Sequence, residues 1–141
     1  MTILIVMIIQ IRSSRLLLAI LAASILGIGS IIYLMYLSEA IALHSAIVLA
    51  VAGGIYAGFG LSDGKSDSVI IETLSALFFG VIAIVGVIYP VVLGIGFLLH
   101  AVWDYLHHCQ AIDTKVRFWY PPFCAVYDCF VGVFLLAVYL K

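Results

Sequence analysis

His100, Asp104, His107 and His108 fall within one short stretch whose neighbours are largely apolar. At about 100° of helical turn per residue, placing His100 at zero puts Asp104 at about 40°, His107 at about −20° and His108 at about 80°. The four therefore share an arc of about 100°, one face of one helix. Imidazole and carboxylate together suit Zn, Fe or Mn, which makes this strip a candidate ligand set for a divalent transition metal. Glu72 and Asp128 lie at comparable depth in two other apolar runs. They are the candidate catalytic groups, each able to act as base toward a metal-activated water or to complete the ligand set. The same residues admit plainer work. A His–Asp pair four apart satisfies two buried polar groups by hydrogen bonding, and a file of ionisable groups can relay protons. His44, the remaining histidine, lies near Glu39 in another run and reads as a headgroup-level residue.

The composition says what kind of element carries these groups. Of 141 residues, 67% are hydrophobic and 9% are charged; the mean hydropathy is +1.35 and the net charge −1. A soluble domain carries roughly 25% charged residues and lacks the interior to hide two-thirds of its side chains. Soluble globular and disordered classes are therefore excluded, and with no basic patch so is a nucleic-acid binder. The solvent, and the first partner, is a lipid bilayer. Crossing a hydrocarbon core of roughly 30 Å takes about 20 apolar residues. Runs at about 16–37, 39–60, 69–89, 91–110 and 121–140 are long enough. They are continuously apolar and do not alternate with a period of two, which favours helices over barrel strands.

The expected fold is thus all-α, a polytopic transmembrane helical bundle of about five spans. A single bundle over 16–141 follows a short apolar, interfacial segment over 1–15 that closes on Arg12-Ser-Ser-Arg15. A tight reversal near Ser38, polar loops at 61–68 and 111–117, and Pro90 separate the spans. A cytoplasmic N-terminus puts Arg12, Arg15, Lys65, Lys115 and Arg117 inside and leaves only Lys141 outside, as the positive-inside rule requires. Glu72, Asp128 and the His100 strip then occupy the cytoplasmic half, while Asp63, Asp67 and Asp113 solvate loops. Cys109, Cys124 and Cys129 form no CxxC and read as free thiols, with Cys124 either a small core filler or a further ligand. Ala46, Ala50, Gly54 and Gly58 recur every fourth residue, with Gly53 and Gly60 beside them, and read as a seam of close helix packing within the chain.

The segment His100-Ala-Val-Trp-Asp-Tyr-Leu-His-His108, followed by Trp119-Tyr-Pro-Pro-Phe-Cys-Ala-Val-Tyr-Asp128, resembles a family of small bacterial integral membrane proteins grouped as a domain of unknown function. The likeness covers the last third of the chain well, and the Tyr56-Ala-Gly-Phe-Gly60 and Glu72 region loosely. It implies a bacterial plasma (inner) membrane and a shared site, and brings no reaction. A second likeness is to membrane desaturases and hydroxylases, whose HxxxH and HxxHH boxes align with His100-xxx-Asp104 and Asp104-xx-His107-His108. Those enzymes draw on a larger histidine set than the four in this chain. The inventory is closer to membrane hydrolases that hold zinc through three His and an Asp, an analogy of site chemistry alone. The leading expectation is a small metalloenzyme acting on a lipid or other apolar substrate. A non-catalytic membrane subunit locked by its polar cluster and a proton or ion conduit are the alternatives.

Overall fold

In hydrocarbon a continuous apolar run satisfies its backbone groups internally only as a helix or in a closed barrel. The computed structural model of the chain is accordingly helical, with α1 (Thr2–Leu37), α2 (Ile41–Asp63), α3 (Ser66–Ile88), α4 (Val91–His108) and α5 (Tyr120–Tyr139). It describes the backbone of residues 2–37 and 40–141, and side chains from Arg12 onward except those of Ser38 and Glu39. The expected reversal at Ser38, and Glu39 beside it, lie outside the described residues. The backbone of α1 stays helical through Arg12-Ser-Ser-Arg15, where the apolar run pauses. Four helices (α1 from Arg12, α2, α3 and α5) are long and apolar enough to cross a membrane. The fourth expected span, α4, has 18 residues and is not among them; the polar His/Asp strip lowers its apolar character.

Helix ends follow local chemistry. The loop expected at 61–68 is shorter than its composition suggests. α2 runs on to Asp63, and Gly64 at φ 75° closes it by donating its N–H to the Gly60 carbonyl. Only glycine takes that left-handed conformation without a steric cost. Pro90 takes the N-cap of α4, and Pro121 lies in the first turn of α5, positions where a missing N–H costs nothing. After α4, Gln110 adopts a left-handed φ of 59°, and the N–H of Ala111 reaches back to the Leu106 carbonyl at 2.9 Å.

α2 packs most extensively on α3, α4 on α5, and α1 on α5, while α3 meets α4 more thinly. The interior inverts the pattern of a soluble protein. Ile25 and Ile84 are each 70% exposed on the outer surface, whereas Glu72, His100 and Asp104 are 0% exposed. Leu49, Phe79, Leu93, Phe97, Val131 and Leu135 form the apolar core at the level beyond His100. Close packing does use glycines, though not the expected stripe. Gly54 and Gly58 face open space, while a Cβ on Gly60 would lie 2.8 Å from the Ser68 carbonyl oxygen and 3.0 Å from Glu72 Cβ. The buried face of α2 is Ala46, Leu49, Gly53, Tyr56 and Gly60, one residue round from the Ala50–Gly54–Gly58 row.

Candidate functional site

α4 buries His100, Asp104 and His107 in register with Leu93, Gly96 and Phe97, a three-and-four spacing along one face. His108, at the far flank of the same arc and on the last residue of the helix, is exposed. The strip is therefore three residues deep inside the bundle, and its fourth member opens on the loop that follows.

Two separate clusters form around it. In the first, His100 Nδ1 lies 2.6 Å from Asp128 Oδ2 of α5 and 3.5 Å from Asp104 Oδ2 one turn along α4. Tyr56 of α2 donates its hydroxyl to Asp104 Oδ1 at 2.6 Å. One ligand atom each from His100, Asp104 and Asp128 lies within 4.8 Å of the others, all three residues being buried. Asp104 Oδ2 and His100 Nε2 are buried without a hydrogen-bond partner among the described residues. In the second cluster, His107 Nε2 meets Glu72 Oε1 of α3 at 2.8 Å. The other ring nitrogen, Nδ1, donates to the Trp103 carbonyl at 3.0 Å. Because that carbonyl must receive the Nδ1 proton, the Nε2–Glu72 contact shares one further proton, as imidazolium with carboxylate or imidazole with carboxylic acid. Tyr56 stands between the clusters: its ring is 4.4 Å from that of His107 and 5.7 Å from that of His100.

The six sequence candidates are thus divided. His100 and Asp104 come together with Asp128, a residue expected either as a base or as a further ligand. His107 and Glu72 hold each other, both ring nitrogens of His107 being engaged. His108 joins neither cluster. Cys124 is buried one turn before Asp128 and stays outside the His100 group; all three cysteines are free. His44 lies far from both clusters along α2 and packs edge-on against Tyr33, with ring centroids 5.1 Å apart.

Tyr56 was not a candidate from the sequence, although it is 0% exposed and adjoins both clusters. A legible signal exists: Gly53, Tyr56 and Gly60 place a phenol between two glycines on one face of an apolar helix. The reach of Asp63 was also unforeseen. Expected to solvate a loop, it accepts the Ser68 hydroxyl at 2.7 Å and lies 4.0 and 3.5 Å from the ammonium groups of Lys65 and Lys115.

Chemically, the first cluster sets two carboxylates against one imidazole in a buried site. Even a protonated His100 cannot neutralise both, so the group must hold a shared proton or take up a cation. Fold and site together define, among the described residues, a bundle of five helices, four of them long and apolar enough to cross a membrane, with a buried His/Asp cluster. Residues 18–139 match the DUF6010 family, described as a family of unknown function, and the chain belongs to it. No curated protein and no solved structure matches the chain.

Proposed function

We propose that the protein is an intramembrane metal-binding protein in which His100, Asp104 and Asp128 hold one divalent transition metal, Zn, Fe or Mn. The observation that carries this reading is the convergence of the three buried residues' ligand atoms within 4.8 Å, with Asp104 Oδ2 unpartnered. Three protein ligands leave an open position, the pattern of catalytic rather than structural sites. Bound there, a metal would lower the pKa of a coordinated water and polarise an ester or amide carbonyl. Tyr56 orients Asp104, and the His107–Glu72 pair supplies a group that can take up or give a proton beside the site.

The substrate class we favour is a lipid or other apolar molecule. An outward-facing groove of about 480 Å³ between α3 and α4 is lined almost wholly by apolar side chains. Two of its residues back onto the clusters: the Phe79 ring is 4.7 Å from that of His100, and the Trp103 ring 5.3 Å from that of His107. We further read the cation-rich end of the bundle as cytoplasmic, in a bacterial plasma membrane.

A second reading, the cluster as a structural lock, is favoured by the two 2.6 Å hydrogen bonds that close it without a metal. Elemental analysis of detergent-purified protein separates the two. Stoichiometric metal in wild type, lost in H100A and D128N at retained fold, is expected. Metal well below one equivalent in folded wild type, even after loading with Zn, Fe and Mn, overturns the proposal and leaves the lock.

A further inference from the structure

At the end of the bundle that carries Lys65, residues of the α4–α5 connection border a partly open cavity of about 430 Å³ against the helix ends. Its wall brings together Arg12 of α1, His107 and His108 of α4, and Asp113, Thr114 and Lys115 of the connecting loop. Full positive charges therefore arrive from two elements distant in sequence. The Arg12 guanidinium lies 5.2 Å over the Phe118 ring, a cation–π contact that fixes the group and uses none of its N–H donors. Asp113 is the one carboxylate on this wall among the described residues, and its charge is already engaged. It bonds Lys65 Nζ at 2.6 Å, and that hydrogen bond raises the Lys65 pKa above its ordinary value. Lys115 keeps a looser 3.5 Å contact with Asp63 Oδ1. Thr114, 8% exposed, has a buried hydroxyl with no hydrogen-bond partner among the described residues.

We propose that this loop cavity binds a phosphate-bearing ligand. The charged donors are a planar guanidinium fork from α1 and an ammonium from the α4–α5 loop, and the unpartnered Thr114 hydroxyl lies buried next to that ammonium in sequence. A carboxylate has two oxygens to offer them, whereas a phosphate has three or four and carries up to twice the charge. Low-dielectric helix ends around the cavity concentrate the field of Arg12 and Lys115 on it. Basic pockets between transmembrane helices at the water boundary are a recurrent form of headgroup site. The ligand is either free phosphate or the phosphate of a lipid headgroup, and both present the same oxygens. The site is independent of whether His100, Asp104 and Asp128 hold a metal.

The test uses the full chain in phosphate-free detergent buffer, titrated with inorganic phosphate by calorimetry. In parallel, the melting temperature is measured in phosphatidylcholine nanodiscs with and without phosphatidic acid. Wild type is expected to respond in at least one arm, R12Q and K115Q each to weaken that response about tenfold or more, and T114V to weaken it less. K141Q, beyond the end of α5, is expected to leave it unchanged. A response to inorganic phosphate identifies a soluble ligand; a response confined to phosphatidic acid identifies a headgroup. No response in either arm, or a response untouched by both R12Q and K115Q, overturns the proposal. Should R12Q fail to fold, K115Q on the loop decides alone.

Discussion

Tyr56 holds the arrangement together at the residue scale, since its hydroxyl is the one hydrogen-bond donor to Asp104 among the described residues. Y56F leaves Asp104 Oδ1 without its donor, the 3.5 Å contact of Oδ2 with His100 remaining, and is expected to cost about 1–3 kcal/mol. Unfolding in a fixed detergent reads this out, and an unchanged midpoint would mean that another donor replaces the phenol. If a metal is bound, competitive chelator titration should show its affinity reduced about 10–100-fold, the usual effect of removing a group that orients a ligand. Glu72 and His107 give a second contrast. E72A strands a buried imidazole and is expected to cost about 3–5 kcal/mol, whereas E72Q keeps a hydrogen-bonding partner and should cost clearly less. Equal losses in the two variants would show that packing, not the shared proton, is what Glu72 contributes. The His100–Asp104–His107 strip was legible because helical spacing alone puts it on one face. Its partners were not, since which carboxylate meets which histidine depends on how α3 and α5 are rotated against α4. Depth suggested that Glu72 and Asp128 were equivalent; the structure gives Asp128 to His100 and Glu72 to His107.

Small residues on α2 show the same limit at the scale of elements. Two rows of them run side by side, and adjacent residues on a helix differ by about 100°, so spacing cannot say which row meets a neighbour. The Gly53–Gly60 side lies against α3, and the Gly54–Gly58 side faces outward. G60A is expected to force α2 away from the Ser68 carbonyl and Glu72, costing about 1–3 kcal/mol as overpacking does. G58A meets nothing within 4 Å and should be neutral or stabilising by about 0.5–1 kcal/mol, because alanine favours the helix. Melting temperatures of the two variants in one detergent provide the check, and equal losses would mean that the outward row also packs against something. That the apolar runs are helices was readable, because continuous apolar runs leave the backbone no other way to satisfy its polar groups, although α1 starts at Thr2 and not at residue 16. Their ends were less so. Asp63 and Ser66 look like loop residues by type, yet Gly64 closes α2 so tightly that only Gly64 and Lys65 separate the two helices.

Across the whole molecule, charge is segregated along the bundle axis. Arg12 and Lys115 share the loop cavity, and Lys65 pairs with Asp113 of the same loop. Arg15 lies beside Trp119, and Arg117 belongs to the α4–α5 connection. Lys141 follows α5 at the opposite end. A cation left on the translocated side is disfavoured during insertion, so this asymmetry predicts that the five-cation end stays in the cytoplasm. Cys109 provides a probe: it is exposed, sits at that end just after α4, and forms no disulfide. Cys124 is buried, and Cys129 lies mid-helix on α5, away from the helix ends that an impermeant reagent reaches. A membrane-impermeant maleimide is therefore expected to leave wild type unlabelled in intact cells and to label it after permeabilisation, with C109S abolishing the signal. K141C in a C109S background should behave oppositely and label in intact cells. Labelling of Cys109 without permeabilisation, together with protection of K141C, would invert the bundle. The loop cavity and His108 would then face the exterior, and any soluble phosphate reaching Arg12 would come from outside the cell.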